Sequence, residues 1–284
     1  MDGDKPLDPR LNPYRADLAA EYLRGQVDAP RFVAPRVLQV SAPVLDLCST
    51  PERNTGLASQ LIAGERFAVY EISDDTGLAW GQCETDGYVG YVSAAGLDEP
   101  GPEPTHRVSH RATQCYPEPN MKTRPLEGLP KEAAVSVLAE ENGFAQIPGQ
   151  AWVPAQHLAR RDAPGGDPVD HALSYLGAPY LWGGRSAYGL DCSALIQLAH
   201  WPAGVSLWRD SDQQASQGKE LDRAELSRGD LVFWTGHVGM MVDATTLLHA
   251  NAHHMSVALE PLADAEARIL EAGDGPITGL RRVA

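Results

Sequence analysis

Short runs of alternating apolar and polar residues fill much of the first half of the chain. Clear examples are residues 67–72 and 134–138, and each run is followed by an aromatic residue and Val, at Tyr91 and at Trp152. Alternation with a period of two predicts half-buried strands. Short strands separated by loops that contain Gly and Pro are typical of small antiparallel barrels.

Two β-rich segments, residues 36–100 and residues 105–160, resemble each other. Residues 40–48 and residues 108–115 both end in a cysteine. Each is followed by a polar loop that contains proline and by a turn of apolar residues and Gly. Internal similarity of this kind predicts a duplicated SH3-like barrel. The alternative is one larger β-domain whose two halves share only their turn chemistry.

The pattern changes after residues 160–168, a polar stretch rich in Gly and Pro that is the clearest linker in the chain. Apolar residues take helical spacing over residues 169–176, which end at Gly177 as a C-cap, and again from Cys192 to His200. Three strands are predicted next, at residues 230–234, 238–242 and 246–249. Helices followed by an antiparallel sheet are typical of an α+β domain, which we predict for residues 166–284.

Residues 1–35 are rich in Pro, Asp and Arg. We predict an arm that packs against another domain, with a short amphipathic helix over residues 18–24. The first residues have no basic segment followed by an apolar core, so a secretory signal is not expected. A run of about 18 apolar residues, the length of a membrane span, is not found in the chain either.

Charge and cysteine usage narrow the function classes. The chain of 284 residues has a formal net charge of −15 and a pI near 4.9, which argues against nucleic acid and anionic membranes as partners. Its four cysteines, Cys48, Cys83, Cys115 and Cys192, show no metal-ligand spacing and no regular disulfide framework. Reduced thiols and a cytoplasmic location are therefore expected.

Cys192 stands where a reactive thiol is expected. It comes between residues 179–184, a loop of aromatic residues and Gly, and the apolar helix that runs to His200. At a helix start, the dipole and the free backbone N–H groups lower the pKa of a thiol from its usual value of about 8.5. The backbone N–H of Cys192 is also an expected donor to an oxyanion. A buried core cysteine is the alternative interpretation.

Two histidines supply the other parts of nucleophilic acyl transfer, a base and a group that orients the base. His237 lies between Gly236 and Val238, where small neighbours leave room for a substrate, and we predict that it is the general base. His249 follows twelve residues later on the next predicted strand, and a hairpin brings such positions side by side. The alternatives for this orienting role are Asn251, His253 and His254.

These motifs, in this order, are similar to those of the NlpC family of papain-like cysteine peptidases, which cleave bacterial cell-wall peptides. The similarity rests on Asp191, Cys192 and Ser193 at the helix start, on residues 229–240 around His237, and on residues 248–250 around His249. It extends over residues 168–261. More loosely, the upstream half resembles the paired bacterial SH3-like barrels of the γ-D-glutamyl-L-diamino acid endopeptidases in that family. The chain departs from the family pattern at Ala194, where glycine is common.

The resemblance implies an α+β fold of two small SH3-like β-barrels followed by a papain-like peptidase domain. It also implies a substrate, a short murein peptide of the form L-Ala-γ-D-Glu-diamino acid, which is cut before the diamino acid. The residues expected to contact the peptide are Tyr180, Asp191, Ser193, Asp210 and Ser211 in the peptidase domain and Asp86 and Tyr88 in the first barrel. A carboxylate such as Asp210 would meet the free amine of L-Ala. Helix capping is the alternative for Asp191, Ser193, Asp210 and Ser211, and a routine turn between strands is the alternative for the barrel residues.

We therefore expect a monomeric cysteine endopeptidase that recycles cell-wall peptides and uses no cofactor. The pair His253 and His254 has no cluster of carboxylates or cysteines beside it, so no metal site is predicted. Two other function classes stay open. One is a thioester-forming acyltransferase on the same scaffold, which would need acyl-chain pockets. The other is a non-catalytic module whose barrels bind cell-wall peptide.

Overall fold

The computed structural model describes residues 6–52, 56–163 and 165–283. The chain divides into two compact units. The first unit holds Met1–Val108, Thr113–Leu129 and Ala133–Leu158, and the second holds Ser109–Ala112, Pro130–Glu132 and Ala159–Ala284.

The N-terminal arm is a small sheet rather than a helix. Its strands are β1 (Tyr14–Arg15), β2 (Leu18–Ala20) and β3 (Phe32–Val33), in the order β1-β2-β3. The amphipathic helix predicted over residues 18–24 is therefore wrong, since only a single 3₁₀ turn, Glu21–Leu23, follows β2. The physical reason is burial. Leu18, Ala19 and Ala20 are all fully buried in a row, whereas a surface helix buries one stripe at every third or fourth residue.

The first barrel is a single seven-stranded sheet. Its strands are β4 (Arg36–Val40), β5 (Val44–Cys48), β6 (Leu57–Ile62), β7 (Arg66–Ile72), β8 (Leu78–Cys83), β9 (Val89–Ser93) and β10 (Leu97–Asp98). They lie in the order β10-β4-β7-β8-β9-β5-β6. Alternate residues such as Leu45, Leu47, Phe67 and Val69 fill its core, as the period of two predicts.

The second barrel repeats this strand order in three smaller sheets. Its strands are β11 (His106–Val108), β12 (Ala112–Cys115), β13 (Glu127–Pro130), β14 (Ala134–Val135), β15 (Ala139–Glu141), β16 (Phe144–Ile147), β17 (Ala151–Pro154) and β18 (Leu158–Arg160). The orders β14-β11-β18, β12-β13 and β15-β16-β17 correspond to β7-β4-β10, β5-β6 and β7-β8-β9 of the first barrel. This shared order is what a duplicated module predicts.

The second unit contains the helices and a six-stranded sheet in the order β21-β26-β22-β23-β24-β25. Its elements are α1 (Pro168–Leu173), β19 (Arg185–Ser186), β20 (Gly189–Leu190), α2 (Cys192–His200), α3 (Ser211–Gln214), β21 (Lys219–Glu220), β22 (Leu231–Trp234), β23 (His237–Met241), β24 (Thr246–Asn251), β25 (Ser256–Pro261), α4 (Leu262–Glu271) and β26 (Gly279–Arg282). The α+β class predicted from the sequence is confirmed.

The helix α2 lies at the centre of this unit. All of its residues are buried, and because most of them are apolar the helix needs packing partners on several sides. Those partners are α1, β23 and β24. The preceding helix, α1, ends at Leu173 and continues as turns to Gly177, which has a φ of +77°. None of the helices within the described residues has the length and apolar character needed to cross a membrane.

Candidate active site

Cys192 is the first residue of α2, and Asp191 caps the helix. The Asp191 carboxylate accepts a hydrogen bond from the backbone N–H of Ala194 at 2.9 Å, which satisfies one of the free donors of the first turn. The backbone N–H groups of Val238 and Ser193 point to the Cys192 sulfur. Since Val238 follows His237 directly, the packing of α2 on β23 places the backbone next to the predicted base at the thiol.

His237 and His249 form a hydrogen-bonded pair. His237 opens β23 after a two-residue turn from Trp234, in which Gly236 takes a φ of +72°. The Nε2 atom of His237 lies 2.8 Å from the Nδ1 atom of His249. This contact leaves Nδ1 of His237 as the ring nitrogen that is not engaged with His249.

Strand register explains why the two histidines meet. The pairing of Met240 with Leu248 puts His249 level with Gly239, two residues from His237. Diagonal neighbours of this kind share one face of a sheet and are within reach of long side chains. His249 is fully buried, and Asn251, an alternative for its role, instead accepts a hydrogen bond from the backbone N–H of His254 at 2.8 Å.

The same diagonal continues to Glu260, which the sequence reasoning missed. Glu260 lies on β25, two residues beyond Ala258, the partner of His249 across the strands. Its Oε1 atom is 2.6 Å from Nε2 of His249, and Arg268 of α4 donates to the same oxygen. A lone glutamate at the end of an alternating run carries no motif. Only the register of β24 and β25 reveals it.

Glu260 also changes the assessment of a metal site. Ligand atoms of His249, His254 and Glu260 lie within 4.8 Å of one another, so one carboxylate that the sequence did not reveal lies near His254. However, the carboxylate is already paired with Arg268, and His249 is hydrogen-bonded on both ring nitrogens. This arrangement favours a chain of hydrogen bonds over a site for a further cation.

The pKa of the Cys192 thiol is raised, whereas its position at a helix start predicted that it is lowered. Burial, together with the Asp191 carboxylate, raises the pKa of the Cys192 thiol to about 12. Burial lowers the pKa of His237 and of His249 to about 3, and the positive charge of Arg268 contributes to both shifts. The pair therefore rests as a neutral thiol and a neutral imidazole. The backbone N–H of Ser193 at the helix start favours the thiolate, but desolvation by burial is larger and the net pKa of the thiol rises.

Asp191 and Ser193 are buried and hydrogen-bonded within the protein. Arg209 donates to Asp191 twice, at 2.9 and 2.6 Å, and to the Ser193 hydroxyl at 2.9 Å. The backbone N–H of Gly183 donates to Asp191 as well, at 3.0 Å. For Asp191 these contacts agree with the capping alternative, whereas Ser193 lies inside the helix and is bonded to Asp191 and Arg209. A direct contact of either residue with a peptide stays a prediction.

Tyr180, Asp210 and Ser211 lie in the same unit as the thiol. Tyr180 is half-buried and bridges to Leu190, and burial followed by the nearby Cys192 raises its pKa to about 12. A contact of its hydroxyl with the sulfur stays a prediction. Asp210 caps α3 through a capping box with Gln213, and Ser211 is the buried first residue of that helix. Their contacts with a substrate are untested.

Asp86 and Tyr88 belong to the first unit, in the turn between β8 and β9. The Asp86 carboxylate accepts a hydrogen bond from the backbone N–H of Tyr88 at 3.1 Å, around Gly87 with a φ of +76°. Both side chains are buried, and Tyr88 is part of the core of the first barrel. The turn alternative accounts for these contacts, and a role toward a substrate stays a prediction.

Two family models match the chain, in the order that the motifs predict. The model described as bacterial dipeptidyl-peptidase Sh3 domain matches residues 47–97, and the model described as NlpC/P60 family matches residues 177–266. A crystal structure of an NlpC/P60 family protein from Bacillus cereus ATCC 10987 has a TM-score of 0.74 at 19% identity, covering 87% of this chain and 99% of that one. This likeness shows the fold.

Curated relatives share parts of the sequence. Dipeptidyl-peptidase 6 of Lysinibacillus sphaericus is 37% identical over 100 residues, which are 34% of this chain and 36% of the relative. Gamma-D-glutamyl-L-lysine dipeptidyl-peptidase of Bacillus subtilis (strain 168) is 27% identical over 195 residues, 63% of this chain and 65% of the relative. The chain thus spans less than two thirds of the length of either relative. It carries a bacterial dipeptidyl-peptidase SH3 domain followed by a domain of the NlpC/P60 cysteine peptidase family.

Proposed function

We propose that the chain is a cysteine endopeptidase that cuts short murein peptides with a free N-terminal L-Ala between D-Glu and the diamino acid. The observation that supports the proposal is the hydrogen bond between His237 and His249, on strands that pack against the helix that Cys192 begins, with the backbone N–H next to His237 at the Cys192 sulfur. The substrate class is supported by the name of the Bacillus subtilis relative, gamma-D-glutamyl-L-lysine dipeptidyl-peptidase.

The first step is attack by the thiol. Nδ1 of His237 takes the proton of Cys192 while the sulfur attacks the γ-carbonyl carbon of D-Glu. Because thiol and imidazole both start neutral, the proton moves during the attack. The backbone N–H of Cys192 and the Tyr180 hydroxyl stabilise the oxyanion, and the raised pKa of Tyr180, about 12, keeps that hydroxyl protonated as a donor.

Collapse of the tetrahedral intermediate completes the acyl transfer. The C–N bond breaks, the leaving amine of the diamino acid takes the proton from His237, and L-Ala-D-Glu remains as a thioester on Cys192. Water then attacks the thioester carbonyl and gives a proton to His237. The dipeptide acid leaves, and His237 returns the proton to the sulfur. One water molecule is consumed in each cycle.

Polar residues at the start of α3 are the ones that we assign to substrate selection. Asp210 is the carboxylate that we assign to the free amine of L-Ala, since it is only half-buried at the start of α3. Ser211 would donate to a peptide carboxylate. A role of Asp86 and Tyr88 of the first barrel toward the substrate stays a prediction.

We also propose that the enzyme acts as a monomer on imported peptides in the cytoplasm. All four cysteines are free, including the half-buried Cys48, which fits a reducing compartment. Fractionation of cells that express the native gene, followed by size-exclusion chromatography of the cytosolic fraction, checks both statements. Recovery in an exported fraction, or as an oligomer, would contradict them.

Mass spectrometry of L-Ala-γ-D-Glu-diaminopimelate and of its lysine form tests the reaction. Wild type and Cys48→Ala, a matched cysteine control, are expected to release the diamino acid, and Cys192→Ala is not. An N-acetylated copy of each peptide tests the amine requirement and is expected to stay intact. Transfer of the acyl group to an added amine without hydrolysis would instead favour the acyltransferase. No reaction of any peptide with wild type would remove the proposal.

A further inference from the structure

Glu260 ends a continuous chain of hydrogen bonds that begins at the catalytic base. Nε2 of His237 contacts Nδ1 of His249 at 2.8 Å, and Nε2 of His249 contacts Oε1 of Glu260 at 2.6 Å. The Glu260 side chain is 12% exposed and is ion-paired with Arg268, whose guanidinium donates to the same Oε1 oxygen. The three side chains occupy one diagonal across β23, β24 and β25.

The chemistry of the end group fixes the direction of every bond in this chain. An ionised carboxylate only accepts hydrogen bonds, so Nε2 of His249 must carry a proton. A neutral imidazole has one N–H, so Nδ1 of His249 is an acceptor and Nε2 of His237 must be the donor. The remaining lone pair of His237 then lies on Nδ1. That nitrogen is the one that the proposed reaction requires as the base.

The charged groups around the histidines favour the neutral chain. Arg268 comes from α4, and His253 and His254 come from the turn between β24 and β25. The positive charge of Arg268, and that of His254 and His253 whenever they are protonated, opposes protonation of His249, while Glu260 and Asp191 act in the other direction on His237. Without an acceptor at position 260, the hydrogen bond between His237 and His249 could form with either tautomer of His249.

We propose that Glu260, held by Arg268, is a positioning residue that fixes the tautomers of His249 and His237, so that Nδ1 of His237 is unprotonated toward Cys192. The inference rests on the proposed peptidase function for its catalytic consequence, and on the geometry alone for the tautomers. The role of Glu260 is similar to that of the carboxylate that orients the imidazole in a Ser-His-Asp triad, but Glu260 acts through a second histidine.

Three variants separate positioning from structural support. Glu260→Leu removes the acceptor at similar size, and Glu260→Gln keeps an amide oxygen that can accept from both His249 and Arg268. Glu266→Leu is the matched control, because Glu266 lies on α4, the helix that carries Arg268, and pairs with Arg223 away from the histidines. We expect Glu260→Leu to lower kcat about 10²-fold, within the range of general base catalysis, with KM little changed. Glu260→Gln should restore most of kcat, and Glu266→Leu should leave it unchanged.

Nitrogen-15 NMR of histidine-labelled wild type reads the tautomers directly and needs no turnover. The proposal expects the proton on Nε2 of both His237 and His249, and a mixture of tautomers in Glu260→Leu. A proton on Nδ1 of His249 in wild type, or full kcat in a folded Glu260→Leu, would overturn it. Failure of wild type to cleave any peptide would instead count against the proposed function, and the NMR result would still decide the tautomers.

Discussion

Asp191 pairs with Arg209 beside the start of α2, and Glu260 pairs with Arg268 on the edge strand of the sheet. Both carboxylates are 12% exposed, but the side chain of Arg209 is 1% exposed and that of Arg268 is 28% exposed. The Asp191 carboxylate accepts hydrogen bonds from Arg209 and from backbone N–H groups. Glu260 directs one oxygen to a histidine of the site.

The two ion pairs have different roles near Cys192. The Asp191 pair fixes the backbone around the nucleophile, because its partners are the residues that form the helix start. The Glu260 pair orients the base, because its partner is a neutral imidazole with two possible tautomers. Proximity to Cys192 in the sequence does not predict involvement in the chemistry. The carboxylate of Asp191, next to Cys192 in the chain, supports the fold, whereas that of Glu260, far away in the sequence, contacts the histidine that orients the base.

Breaking the first pair should have the largest effect. Arg209→Met leaves the Asp191 carboxylate buried without its main partner, and we expect a loss of about 3–5 kcal/mol in the free energy of unfolding of the second unit. The more exposed Arg268→Met should cost at most about 1 kcal/mol. Urea denaturation followed by tryptophan fluorescence measures both. Similar losses for the two variants would show that the pairs are equivalent.

A double-mutant cycle tests whether Glu260 acts through His249. We expect His249→Ala to lower kcat about 10²-fold, since the base loses its orienting partner. Adding Glu260→Leu should cost little more, because Glu260 has no other route to the base in this account. The measurement is kcat for both single variants and the double variant. Multiplicative losses would mean that the two residues act independently.

The pH dependence of kcat/KM tests whether Arg268 lowers the pKa of His237, the proposed base. With the pKa of His237 lowered to about 3, the acidic limb should lie well below 6.5, the ordinary value for histidine. Arg268 disfavours protonation of both histidines, so Arg268→Met should raise their pKa and move that limb upward by about one pH unit. A wild-type limb near 6.5, or a downward shift in the variant, would contradict the assignment.

The smallest effect is expected at Asp210, a third carboxylate, next to Arg209. If it reads the substrate amine, Asp210→Ala should raise KM for free-amine peptides by about tenfold, the value of one charged hydrogen bond. Asp210→Asn retains the helix cap and serves as the control for loss of the capping box. Initial rates over a range of peptide concentrations give both constants. An unchanged KM in Asp210→Ala would remove the residue from the site.

The sequence predicted the parts of the site that carry local signals. Cys192 follows a capping Asp at an apolar helix, and His237 sits in a tight turn with glycines. Glu260 and Arg268 escaped notice because their contact with His249 depends on the register of β24 and β25 and on the return of α4. The pKa of Cys192 was expected to fall because a helix start is visible in sequence, whereas the extent of burial is not.

The arm shows the same limit at the level of the fold. Residues 18–24 have a composition compatible with a helix, yet β2 pairs with β1 and β3 and packs its residues into the core with Tyr70 and Trp80. Tertiary burial overrides local preference there. The strands of the barrels were easier to predict, because the alternation of apolar and polar residues along a strand follows directly from the burial of one of its faces.

The most direct test of the account is labelling by an acyloxymethyl ketone built on L-Ala-γ-D-Glu, with the ketone at the position of the scissile carbonyl. Peptide mapping by mass spectrometry should find the adduct on Cys192 of the wild type. The adduct should be absent in Cys192→Ala and should form far more slowly in His237→Ala. An adduct on Cys48, or equal labelling rates with and without His237, would contradict the assignment of Cys192 and His237 as nucleophile and base.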